Sequence, residues 1–251
     1  VSNIEKNNRG TFLIFTGIVL IGSVISACHA KEVGVRKEAV KGTFYPAGKT
    51  ELKRMIEGYL SQAEKEPAAG EIAGIIVPHA GYIYSGPVAA YSYRYLEGEK
   101  YDTVILLGGS HRVGYSGCAL DPHEAWQTPL GKVDVDRELA QRLTGAPFIL
   151  SAQPHEAEHS LEVQIPFLQT VLEPGFKIVP LLFGQDRESW KEAASRLYRI
   201  ISESKKRILL VTSTDMSHYH SYEKAKNMDA ECLRLIEADK LEDLGRKIDD
   251  G

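Results

Sequence analysis

The chain has 251 residues, 43% of them apolar and 25% charged, with a formal charge of −4, so an ordinary globular core can be buried and no basic face for nucleic acid is implied. Its three cysteines, Cys28, Cys118 and Cys232, are too few for a disulfide-built scaffold. No internal repeat or low-complexity tract interrupts it.

In chain order, the first feature is an address. Lys6 and Arg9 precede an unbroken apolar run from Thr11 to Ala27, and Ile25-Ser26-Ala27-Cys28 closes it. A positive segment, an apolar segment and small residues before a cut site describe a secretory signal. The small pair directly before a cysteine resembles a bacterial lipobox, in which the mature chain begins at a lipidated Cys28. The expectation is an exported, membrane-anchored lipoprotein of the cell envelope: signal peptide 1–27, a polar tether 28–38 and one domain 39–251. An uncleaved transmembrane anchor is the alternative, although the run is slightly short for a span.

Gly42 to Pro46 reads as a turn. Leu52, Met55, Ile56, Tyr59 and Leu60 recur at helical spacing from about Thr50 to Ala63, before Pro67 to Gly70 break the pattern. Ile72 to Val77 predicts a buried strand, Pro87 to Leu96 a helix, and Thr103 to Leu107 a second buried strand. Asp136 to Leu143 and Leu161 to Leu172 read as helices, the latter with Pro166 inside it. Lys177 to Phe183 is a third strand, whose Pro180 argues for an edge or irregular position. A helix over Arg187 to Ser202, a strand over Arg207 to Thr212 and a helix over Ser221 to Ala238 complete the series. Apolar runs alternating with helical patterns imply parallel strands joined by crossover helices, hence an α/β fold.

In such sheets ligands gather beyond the carboxyl ends of the strands. Three of the four strands run into a loop with a histidine: Pro78-His79-Ala80-Gly81, Gly109-Ser110-His111-Arg112, and Ser213-Thr214-Asp215-Met216-Ser217-His218. His79, His111, Asp215 and His218 should therefore converge on one rim, with the segment from His155 to Glu162 able to fold over them. Imidazoles and carboxylates bind divalent transition metals, and imidazole moves protons near neutral pH. His29, His123 and His220 stand apart from this pattern. A bridge between Cys118 and Cys232 is one option, and two separate buried thiols the simpler one. There is no HExxH, paired CxxC, P-loop, dinucleotide fingerprint or GxSxG elbow.

The segments VKGTFYPAG, IIVPHAGYIYSGPVAAYSY, VILLGGSHRVGYSGCAL, WQTPLGKVDVD, HEAEHSLEVQIPFLQ and VTSTDMSHY occur in that order. Together they resemble the Memo family, called the AmmeMemoRadiSam system protein B in prokaryotes, over about residues 36–250. The resemblance implies a three-layer αβα sandwich with a mostly parallel sheet, related to class III (LigB-type) non-haem iron extradiol dioxygenases. It implies that His79, His111 and His218 match the family's metal- or ligand-site histidines and that Asp215 is the acidic member. His159 and Glu162 lie in the EHSxE motif bordering the pocket. The family pattern also places a cysteine ligand in a Cys-Gly segment beyond position 251, so the sequence is expected to be a C-terminally incomplete domain.

Three functions compete. The first is a metal-binding protein whose ion is divalent or cuprous, iron or copper. The second is a non-haem iron dioxygenase-type enzyme acting on a small aromatic molecule. Its acid–base groups would be His218, Asp215 and His159. The third is a non-catalytic module that binds a peptide or protein. Direct contact with the cytoplasmic partners for which the family is named, a radical-SAM enzyme and an AMMECR-type protein, sits awkwardly with export.

Overall fold

The computed structural model describes residues 33–65 and 70–250. The expected signal peptide, Cys28 and the start of the expected tether lie outside these residues. Among the described residues, no helix is long and apolar enough to cross a membrane.

The strands are β1 (Val33–Arg36), β2 (Gly74–Val77), β3 (Thr103–Gly109), β4 (Cys118–Leu120), β5 (His123–Thr128), β6 (Gly131–Asp134), β7 (Phe148–Leu150), β8 (Lys177–Phe183) and β9 (Ile208–Ser213). The helices are α1 (Lys49–Gln62), α2 (Tyr82–Arg94), α3 (Arg137–Arg142), α4 (Gln153–Glu156), α5 (Ile165–Val171), α6 (Arg187–Ser202), α7 (Tyr222–Glu237) and α8 (Leu241–Asp250). A six-stranded sheet has the order β2-β9-β3-β8-β4-β7, and a three-stranded sheet has the order β1-β5-β6. In the large sheet β2, β9, β3 and β8 run parallel, while β4 pairs antiparallel with β8.

The layering follows from strand periodicity. Side chains alternate between faces along a strand, and the apolar runs supply residues for both. Val104 and Leu106 of β3, Ile178 and Leu182 of β8, and Leu209 and Val211 of β9 join one core with Leu52, Ile56 and Leu60 of α1, Ala90 and Tyr93 of α2, and Phe167 of α5. Their neighbours Ile105, Val179 and Leu181 join a second core with Leu139 of α3 and Ala193, Leu197 and Ile200 of α6. Helices thus cover both faces, giving the expected αβα sandwich with a mostly parallel sheet. The helix starts are equally local: Asp136 caps α3 by accepting from the Leu139 amide at 3.1 Å, and Asp186 caps α6 by accepting from the Glu188 amide at 3.1 Å.

Four expectations need correction. First, the tether does not extend to position 38. Val33 to Arg36 form β1, paired in parallel with β5, and Arg36 is buried. Second, β2 is an edge strand rather than a buried one: Val77 is buried but Ile76 is 51% exposed. Third, β8 is interior despite Pro180. Ile178 directs its carbonyl away from β3, accepting from the Asp136 amide, and strand alternation aims position 180 the same way. There β4 has already ended at Leu120, opposite Leu181, so the missing N–H falls in a gap of the ladder. Fourth, the helix expected over Leu161 to Leu172 divides into a 3₁₀ turn, Glu162–Gln164, and α5, with Pro166 in its first turn where no amide donor is needed. The strands β4 to β7 add to the four expected; most are short or polar.

A buried ion pair ties the small sheet to the segment before α5. Arg36 donates to Glu162 at 2.7 Å, to the His155 carbonyl at 2.8 Å and to the Glu158 carbonyl at 2.7 Å, and its guanidinium lies 3.9 Å from the Trp126 ring centre. Glu162 also accepts from the amides of Ala39 and Val40, at 2.8 and 3.0 Å, and from the Tyr45 hydroxyl at 2.6 Å. Removing one partner of a buried pair leaves the other charge unsatisfied, at a cost of about 3–5 kcal/mol. Arg36→Met should therefore lower the urea midpoint by an amount equivalent to about 3–5 kcal/mol; an unchanged midpoint would contradict the clamp.

Candidate metal centre

The parallel register fixes where the loops emerge. Val77 of β2 and Gly108 of β3 both pair with Ser213 of β9. The residues just beyond them, His79, Asp215 and His111, therefore leave from one rim. The segment between α4 and α5 crosses this rim. Gly108 permits the crossing, because a Cβ there would stand 2.8 Å from Leu161 Cδ2 and 3.0 Å from Ser160 Oγ. Ser160 Oγ donates to the Gly109 carbonyl at 3.2 Å, which holds the segment down and delivers His159 to the rim.

His79, His111 and His159 meet there. Each offers a ring nitrogen, and these atoms lie within 4.8 Å of one another. The ring centres of His79 are 5.0 Å from His111 and 5.4 Å from His159, and those of His111 and His159 are 4.6 Å apart. Burial is graded: His79 is buried, His159 intermediate and His111 exposed, so the cluster opens to solvent on the His111 side. Phe44, held in the turn that Glu162 organises, packs 4.7 Å from the His159 ring centre.

Glu158 lies fully buried beneath two of the three rings. It accepts from the amides of His111 at 2.7 Å, His159 at 2.9 Å and Ser160 at 2.9 Å, and its Oε1 is 3.0 Å from His111 Nδ1. Burial opposes ionisation of this carboxyl. The hydrogen bonds from His111 Nδ1 and from the amides, with the His159 ring close by, outweigh it and hold Glu158 well below the usual carboxylate range. The bond to Glu158 in turn raises the His111 pKa, against its partial burial. His79 is lowered, chiefly by burial and then by the neighbouring His111 and His159, with Asp215 and the Ser213 main chain pulling the other way. His159 Nδ1 is 3.1 Å from Glu158 Oε1 but off the hydrogen-bonding direction; it is buried with no hydrogen-bond partner.

Asp215 accepts from the His79 amide at 2.6 Å through Oδ1. Its Oδ2 lies 3.8 Å from His79 Nε2 and 3.5 Å from His218 Nε2. His218, with its side chain 55% exposed, donates through Nδ1 to the Met216 carbonyl at 2.7 Å. Among the described residues, the cysteines Cys118 and Cys232 are free thiols outside the cluster; Cys118 is buried in the second core, and burial pushes its thiol up to about 12.

Residues 36–250 match a family model described as Memo-like protein. The chain belongs to the Memo family. It is 42% identical over 207 residues to a MEMO1 family protein of Methanosarcina mazei, covering 80% of this chain and 74% of that relative. It is 38% identical over 196 residues to one of Methanococcoides burtonii, covering 78% and 72% of the two chains. A MEMO1 family protein of Saccharolobus solfataricus is 39% identical over 216 residues, covering 80% of this chain and 76% of its own.

In this Memo-family protein the strand-end rule brings together His79, His111 and Asp215. His218 reaches Asp215 on the outer side and is not one of the three clustered rings. His159, read from sequence as a bordering residue, sits in the cluster, while Glu162 is a buried structural carboxylate facing Arg36 and the Val40–Tyr45 turn. Ser213 has no mark of its own in the sequence, and Glu158 and Gln164 are not singled out there. Their one signal is density: the segment from His155 to Gln164 carries six polar or charged residues that turn out buried or half-buried.

The Glu158 carboxylate stabilises protonated His111, so the pair's contribution to stability has a defined pH window. The raised His111 value contributes stability present below the ordinary imidazole pKa and lost as pH rises through the folded value. The lowered Glu158 value contributes stability present above the ordinary carboxylate pKa and lost as pH falls. In a nuclear magnetic resonance titration of the metal-free protein, His111 should titrate above and His79 below the ordinary imidazole pKa. In Glu158→Gln, His111 should move down; an unmoved His111 would contradict the pairing.

Proposed function

We propose that this protein binds one transition-metal ion, divalent or cuprous, through His79, His111 and His159. The observation that carries this reading is the approach of three ring nitrogens from three separate loops to within 4.8 Å. The donor set fits such an ion: imidazole suits iron, copper and zinc, and His159 holds a buried ring nitrogen without a hydrogen-bond partner. Glu158, bonded to His111, supplies the carboxylate–histidine support usual for metal-bound imidazoles. Three protein ligands leave positions open, and the exposed His111 side gives a small molecule a route in.

The second reading is an enzyme, an iron- or copper-dependent oxidoreductase acting on a small aromatic molecule. What favours it is the Asp215–His218 pair. Asp215 Oδ2 lies between His79 Nε2 and His218 Nε2, so this carboxylate can orient the exposed imidazole beside the cluster. A bound iron or copper ion would supply redox chemistry. His218 would hold or release the substrate proton at Nε2, and Asp215 would orient its ring. Attachment to a membrane through Cys28 is likewise proposed, on the sequence alone.

Metal analysis after anaerobic loading with ferrous or cuprous ion tests both readings. The protein should retain about one ion, and His79→Ala, His111→Ala and His159→Ala should each lose it, because three imidazoles are the minimum set here. His218→Ala should keep the ion and lose oxygen uptake with catechol-type substrates. Retention in all three cluster variants would eliminate the metal site, and loss of the ion in His218→Ala would place His218 among the ligands instead.

A further inference from the structure

A histidine can bind a metal only through a ring nitrogen that carries no proton, so the tautomer decides which nitrogen is available. At His79 a chain of buried hydrogen bonds makes that choice. Gln164, 1% exposed, places its Nε2 2.9 Å from the Pro78 carbonyl oxygen, which can only accept. With the amide set that way, its Oε1 accepts from the Tyr93 hydroxyl at 2.9 Å. The same Nε2 donates to Ser213 Oγ at 2.8 Å. Ser213 Oγ, in a residue 2% exposed, stands 2.6 Å from the Ser160 carbonyl oxygen, and its single proton goes there.

A hydroxyl has one proton and two acceptor sites. With the proton directed at Ser160 and one acceptor site filled by Gln164, Ser213 Oγ can only accept from His79 Nδ1, which lies 3.1 Å away. The proton of neutral His79 therefore resides on Nδ1. We propose that Gln164 and Ser213 are positioning residues that fix His79 as its Nδ1–H tautomer and keep Nε2 unprotonated. His111 reaches the same state by a shorter route, since its Nδ1 faces a carboxylate oxygen at 3.0 Å.

The arrangement at His79 works against a competitor. Asp215 Oδ2 is 3.8 Å from His79 Nε2 and would draw a proton to that nitrogen if Ser213 did not hold it on the other. Ser213 occupies the end of β9 and Gln164 the 3₁₀ turn before α5, so two separate elements must be in register for the tautomer to be set. The metal-binding consequence rests on the function proposed above; the tautomer itself does not.

The experiment uses the metal-free, ¹⁵N-labelled protein at a pH above the imidazole range, with long-range ¹H–¹⁵N spectra that identify the protonated ring nitrogen. In the wild type, both His79 and His111 should be Nδ1–H. In Ser213→Ala, His79 should shift to Nε2–H while His111 stays unchanged, and Ser213→Thr, which keeps the hydroxyl, should restore the wild-type pattern. An Nε2–H His79 in the wild type overturns the proposal outright, whether or not the alanine variant folds; so does an unshifted His79 in folded Ser213→Ala. In a parallel titration with Zn²⁺, Ser213→Ala should weaken affinity about 10–100-fold, the usual effect of losing an orienting partner, and Ser213→Thr should not. Unchanged Zn²⁺ affinity alongside a shifted tautomer would overturn the positioning role. Wild-type protein with the expected tautomers but no Zn²⁺, Fe²⁺ or Cu⁺ binding would sink the metal reading and leave the tautomer relay standing.

Discussion

A carboxylate with no access to water organises this site. Glu158 is ionised in the interior because three main-chain amides and the His111 ring donate to it, so its charge is met by fixed dipoles instead of solvent. Two of those amides belong to His111 and His159 themselves. The carboxylate therefore fixes the backbone from which two of the three rings project, and one of the rings directly. If the segment carrying Glu158 were displaced, the convergence of imidazoles would be lost even with the sheet intact.

The same short segment reaches almost every other part of the rim. Glu162 holds the turn carrying Phe44, which shields His159. Gln164 joins the end of β2, the end of β9 and α2 through Pro78, Ser213 and Tyr93. Arg36, from the small sheet, binds the segment's carbonyls and Glu162 together. A buried polar network of this kind is stable only when its members are all satisfied. The exception among the rim imidazoles is Nδ1 of His159, buried without a hydrogen-bond partner 3.1 Å from Glu158 Oε1.

Much of the architecture was legible in the sequence because strand alternation and helical spacing are short-range signals. The runs around Val104, Val179 and Leu209 announced buried parallel strands, and the rule that ligands collect at their carboxyl ends located His79, His111 and Asp215. The short strands were not legible. Cys118 to Leu120 and Phe148 to Leu150 have three residues each, too few for a period, and β5 and β6 carry polar residues that a small sheet tolerates. Pro180 misled because a proline's cost depends on which side of the strand its nitrogen faces, and that depends on where β4 stops. His159 and His218 could not be ranked from their own neighbourhoods. For His159 the ring's place depends on contacts from distant residues, Gly108 and Phe44, and for His218 it depends on the loop fold that brings Nδ1 to the Met216 carbonyl.

X-ray absorption spectroscopy of the metal-loaded protein counts the imidazoles at the ion itself, where the variants only imply them. Three imidazole nitrogens at about 2.0–2.1 Å, the normal metal–imidazole distance, are expected. A bound ion with at most one imidazole neighbour would contradict the three-histidine centre, and would mean that the three rings, though close, do not form a common site.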